Sequence, residues 1–124
     1  MNEKQLKSVT ADERFLFAMY LALTLKGDFA GALKFAEKRK VLVEKNEKVF
    51  TNSVVDVSKE VHLDLITAHI RVGDLKIAND KLTKFRNIST RSGIDEINTD
   101  LAFYSLKVEE AHTGSIEEYR SLLN

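Results

Sequence analysis

The sequence predicts an all-α domain of about six helices, folded as three stacked antiparallel helix hairpins. Three observations predict it. The 124 residues contain no proline and only five glycines, so helices are interrupted at few points. Apolar residues recur at steps of three and four along most of the chain. Short Gly-containing dipeptides, Gly27-Asp28, Gly73-Asp74, Ser92-Gly93 and Gly114-Ser115, divide that pattern into helix-length pieces.

Thr10-Ala-Asp-Glu13 fits a capping box, which starts the first helix near Thr10 and lets it run to Gly27. Its apolar run, Phe15 to Leu25, is interrupted only by Thr24. That is short of the ~18–20 residues a bilayer span needs, so it reads as a buried helix. Asp28 caps a second helix that places Phe29, Ala32, Leu33 and Ala36 on one face, turns Lys34, Glu37 and Lys38 elsewhere, and runs to about Lys48. A third begins around Asn52-Ser53 and carries Val54, Val57, Val61, Leu65, Ala68 and Val72 at helical spacing. The β-branched residues on either side of Thr51-Asn52-Ser53 also allow a short β-hairpin over 49–57; the regular spacing downstream favours helix.

Gly73-Asp74 repeats the earlier turn, and Leu75, Ala78, Leu82 and Phe85 form the stripe of a fourth helix. Ser92-Gly93 ends that unit. Ile94, Ile97, Leu101, Tyr104, Val108 and Ala111 predict a fifth helix closed by Gly114. Ser115-Ile-Glu-Glu118 is a second capping box, opening a short sixth helix with Ile116, Tyr119 and Leu122 or Leu123 on one side. The hairpins then span about 10–48, 52–91 and 94–124 of a single domain.

Composition removes several function classes. Lys+Arg and Asp+Glu both number 19, so no overall field draws nucleic acid or anionic lipid. Without cysteine there is no disulfide framework, thiolate nucleophile or Cys-type zinc site. The N-terminal Met-Asn-Glu-Lys-Gln-Leu-Lys lacks the apolar core of a secretory signal, and with the missing cysteines this favours a cytoplasmic protein.

Aligned on their glycines, the three turns are Leu-Lys-Gly27-Asp-Phe-Ala-Gly-Ala32, Arg-Val-Gly73-Asp-Leu-Lys-Ile-Ala78 and His-Thr-Gly114-Ser-Ile-Glu-Glu-Tyr119. This pattern resembles the tetratricopeptide repeat, in which helix A ends at a Gly-Asp-aromatic turn and helix B carries a small residue five positions on. Ala32 and Ala78 match; Tyr119 does not. Helix A of the family has a small residue at mid length where this chain has Tyr20, Ile66 and Lys107, and the closing proline is missing. The turn glycines are 46 and 41 residues apart (27 to 73, 73 to 114), longer than the family period of about 34. Such stretched repeats resemble those of bacterial peptide-pheromone receptors, and small three-hairpin versions occur as secretion chaperones.

The resemblance implies a short right-handed α-solenoid, a TPR-like protein- or peptide-binding scaffold serving as regulator, adaptor or chaperone, with no enzymatic activity and no cofactor. It places ligands on the inner face of the A helices. Counting from each glycine puts Arg14, Phe17, Leu21 and Thr24 there in the first unit, Glu60, Leu63, Thr67 and Arg71 in the second, and Leu101, Ser105, Glu109 and His112 in the third. Apolar members would anchor a peptide or helix and charged ones select it. Phe17, Leu21, Leu63 and Leu101 have an equally good reading as plain core.

Residue patterns for chemistry are missing. His62 and His69 share a helix face but stand about 10 Å apart along the axis, too far to share one metal, and no metal site is expected. Neither a phosphate-cradling glycine loop nor a nucleophile elbow occurs. Glu109-Glu110 and Glu117-Glu118 diverge by about 100° on a helix and read as solvated faces.

Charge does segregate locally. Arg71, Lys76, Lys81, Lys84, Arg86 and Arg91 face only Asp74 and Asp80 within 71–91, while 92–124 holds seven carboxylates against Lys107 and Arg120. With Lys34, Lys38, Arg39 and Lys40 of the second helix, the basic stretch offers an alternative function as a nucleic-acid-associated regulator. Solvated faces or head-to-tail pairing of copies explain the same charges. An open C-terminal hairpin exposing Ile116, Tyr119 and Leu123 would also permit a homodimer.

Overall fold

The computed structural model describes residues 1–50, 57–88 and 93–123. Among them are six helices and no strand: α1 (Glu3–Lys26), α2 (Phe29–Lys45), the single turn α3 (Glu47–Phe50), α4 (Val57–Val72), α5 (Leu75–Ile88) and α6 (Gly93–Leu123). None of these helices is long and apolar enough to cross a membrane.

Two of the expected turns form, and they are copies of each other. Gly27 and Gly73 both adopt φ 88°, a left-handed conformation that costs an L side chain. Each glycine N–H donates to the carbonyl three residues back, Thr24 or Ile70, at 3.1 Å. The following aspartate N–H reaches Leu23 or His69 at 2.9 Å, closing the preceding helix in the same way. Asp28 then caps α2 by accepting the Gly31 N–H at 2.9 Å. The hairpins α1/α2 and α4/α5 follow from these closures.

Other boundaries differ from the sequence reading. Helix α1 starts at Glu3, because Asn2 and Gln5 form a reciprocal capping box at 2.8 and 3.0 Å. Thr10, the expected cap, is inside the helix and donates its hydroxyl to the Leu6 and Lys7 carbonyls, while Glu13 turns to Arg39. Helix α2 stops at Lys45. Val49 and Phe50 belong to α3, so the upstream arm of the alternative β-hairpin is helical; 51–56, with Asn52-Ser53, lie outside the described residues. Ser92 lies outside them too, and Gly93 opens α6.

The third hairpin is not formed. Helix α6 passes through Gly114 without a turn, so the expected fifth and sixth helices are one helix of 31 residues. Inside a helix the amides of the Ser115-Glu118 box already have carbonyl partners four residues back, leaving the box nothing to cap. A glycine is tolerated there at a modest entropic cost.

Helix α4 is the centre of the fold. Seven of its 16 residues are buried, and six of them enter the three apolar clusters. Leu65 and Ala68 join Tyr20, Ala32 and Ala36 of α1 and α2; Leu63, Ile66 and Ile70 join Ala78, Leu82, Phe85, Ala102 and Leu106 of α5 and α6; Val61 joins Val43 and Phe50. The expected small residues Ala32 and Ala78 are almost wholly enclosed, which lets paired helices approach closely.

Candidate functional site

The first turns of α4 and the middle of α1 and α2 converge on one side chain, Arg39. It is a buried arginine, 2% exposed, on the face of α2 that also carries Ala32, Ala36 and Val43. Glu13 of α1 accepts a hydrogen bond from Nε at 2.9 Å, and the same oxygen is ion-paired with Nη2 at 2.7 Å. Asp64 accepts from Nη1 at 2.9 Å and Glu60 from Nη2 at 3.0 Å, so both carboxylates of α4 use the remaining fork. The guanidinium lies 4.2 Å from the centroid of the Phe17 ring, a cation–π stack. One turn on, Arg71 donates to the Tyr20 hydroxyl at 3.2 Å, and the Tyr20 ring stacks on Phe17.

Three carboxylates thus share one buried guanidinium. Burial pushes the Asp64 carboxyl up to about 6; Arg39 and Arg71 oppose the rise and Glu60 adds to it. Burial also raises the Tyr20 hydroxyl, with Asp64 contributing in the same direction. Glu60 and Asp64 keep an edge toward water, whereas Arg39 is almost wholly enclosed. Chemically the cluster is an α1–α2–α4 clasp with an acidic outer rim.

Of the residues expected on an inner face, Phe17, Glu60 and Arg71 meet in this cluster. Thr24 and Thr67 sit beside it but spend their hydroxyls on the Tyr20 and Leu63 carbonyls of their own helices. Leu63 is core, facing α5 and α6. Arg14 and Leu21 are exposed on α1. Leu101, Ser105, Glu109 and His112 are all exposed along α6, which packs on α4 and α5. The twelve positions therefore do not close into one groove.

No protein family, curated protein or solved structure matches the chain.

Sequence reasoning missed Glu13, Arg39 and Asp64. Arg39 was assigned to an exposed basic flank, yet it is enclosed and bonded to carboxylates; its place between Ala36 and Val43 on the apolar stripe was the legible signal. Asp64 lies four residues after Glu60 and so on the same face.

The second departure concerns α1. The run from Phe15 to Leu25 is not a buried helix. Tyr20 is enclosed, but Phe15 is 60% and Leu25 89% exposed, and Ala18, Leu21 and Ala22 are exposed with them. The spacing 15, 18, 22, 25 is one helix face. Helix α1 is an edge helix whose packing is chiefly with α2; the Phe15 ring stands edge-on to that of Phe35, their centroids 6.5 Å apart. With the C-terminal hairpin gone, Ile116, Leu122 and Leu123 are exposed on the far part of α6 instead.

Proposed function

We propose that this chain is a non-enzymatic, tetratricopeptide-like helical scaffold that binds a protein or peptide partner in the cytoplasm, as an adaptor or chaperone-like module. The observation that carries the reading is the apolar outer face of α1. Phe15, Ala18, Ala22 and Leu25, with Leu21 beside them, form a stripe at helical spacing that this chain leaves in water. Contiguous apolar surface of that kind marks interaction sites. An amphipathic helix laid along α1 would cover it with anchors at three- and four-residue steps. Arg14 and Lys26 flank the stripe and would select acidic groups on the partner.

Light scattering of the purified protein at low and high salt, with mass spectrometry of the same sample, tests the reading. A dimer or a co-purifying polypeptide is expected, and the double variant F15S/L25S is expected to lose it while keeping its helical circular dichroism. A polypeptide-free monomer at both salt concentrations, or association unchanged in F15S/L25S, would refute it.

A further inference from the structure

On the opposite side of α4 from the Arg39 clasp the structure holds a cavity of about 210 Å³. Its floor is apolar: Leu65 and Ile66 of α4 and Phe85 of α5. Its rim is cationic. Lys40 enters from α2, and Lys81 and Lys84 enter from α5, three residues apart on one face. His62 lines the same cavity, its ring centroid 6.1 Å from that of Phe85. Among the described residues, Glu44 is the carboxylate paired with this rim, 3.2 Å from the Lys40 ammonium and 3.9 Å from His62 Nε2. Three ammonium groups against one carboxylate leave the rim net positive.

We propose that this cavity is a binding site for a small phosphorylated ligand, its phosphate held by Lys40, Lys81 and Lys84 and its attached ring seated on Leu65, Ile66 and Phe85. Lysine binds phosphate as a mobile point charge, and three of them, drawn from two helices, line this one cavity. Like charges gathered over an apolar floor repel one another, and a bound dianion removes that repulsion. The volume sets the size: it is below the ~300–1,000 Å³ of pockets that enclose drug-sized ligands, so it suits one phosphate and one compact ring. Burial is the first cause of the lowered His62 pKa; Lys40 and Lys81 lower it further and Glu44 opposes them, so two of the rim cations act on this ring. None of the residues of the α1 face takes part, so the site is independent of partner binding there.

Phenyl phosphate is the probe, titrated against the intact protein at low salt by calorimetry and by the proton resonance of the His62 ring. Saturable binding is expected, tighter than that of inorganic phosphate, with the His62 pKa rising on saturation. The variant K81Q/K84Q is expected to weaken it by about tenfold or more. K34Q/K38Q removes the same charge from the exposed side of α2 and is expected to leave binding unchanged. Equal weakening by the two variants would reduce the effect to net charge and overturn the proposal. So would an unmoved His62 resonance at millimolar phenyl phosphate. A single-stranded oligonucleotide that binds, with steep salt dependence, where phenyl phosphate does not would overturn it in favour of a nucleic-acid surface.

Discussion

Glu13 places one carboxylate oxygen against both Nε and Nη2 of Arg39, at 2.9 and 2.7 Å, and this contact joins helices whose partners are 26 residues apart. Because Asp64 and Glu60 hold the rest of the same guanidinium, the charge is a shared counter-ion for three carboxylates. Replacing it leaves acids without a partner in a partly dry site. Arg39→Met is therefore expected to lower stability by about 3–5 kcal/mol, measured by urea unfolding at neutral pH. A loss under ~1 kcal/mol would mean that water already neutralises the cluster.

Asp64 makes stability depend on pH with a sign opposite to that of an ordinary salt-bridged aspartate. Its folded pKa, about 6, lies above the reference value of 3.8, so the folded state holds this proton more tightly than the unfolded chain. The contribution is full below about pH 4 and is lost as pH rises through 6. Relative to Asp64→Asn, the parent is expected to lose up to about 3 kcal/mol between pH 4 and 7, two pKa units at 1.36 kcal/mol each. Parallel stability profiles for the two proteins would contradict this.

Glycine replacements separate a turn from a helix. Gly73 has φ 88°, so Gly73→Ala is expected to destabilise by ~1–2 kcal/mol. Gly114 lies within α6 with open space around its Cα, and Gly114→Ala is expected to raise helix content and stabilise by up to about 1 kcal/mol. Circular dichroism and thermal melts of both variants give the answer; a destabilised Gly114→Ala would restore a turn at that position.

Tyr20 and Arg71 tie α1 to the end of α4 through one hydrogen bond of 3.2 Å. Tyr20→Phe removes the hydroxyl and keeps the ring on Phe17, and is expected to cost about 0.5–1.5 kcal/mol in chemical denaturation. An unchanged midpoint would show that Arg71 finds water at no loss.

The all-helical class and the two Gly-Asp turns were legible because they rest on local rules: apolar periodicity and a backbone angle that glycine accepts. The same rules misplaced Gly114, since an exposed helical glycine and a turn glycine are alike in sequence. Of the site, Phe17, Glu60 and Arg71 were found by counting from the turns. Arg39 was not, because a buried arginine needs acids from two other helices, and their convergence is tertiary. The exposure of Phe15 and Leu25 was hidden for a related reason: an apolar run records what prefers to be covered, and among the described residues both side chains are left exposed.

Beyond Leu106, the last of its described side chains that is buried, α6 continues through residues 107–123, whose described side chains are exposed or half-exposed. That is roughly 25 Å of helix. An unsupported helix of this length is near the ~12–15-residue limit of marginal stability in water, and Gly114 lowers it further. Its amides should therefore exchange faster than those of the packed part of α6, and a partner that docks there would order a marginally stable segment. Affinity at that end would then be set by the order imposed on the helix as much as by the contacts made, which favours fast, reversible attachment.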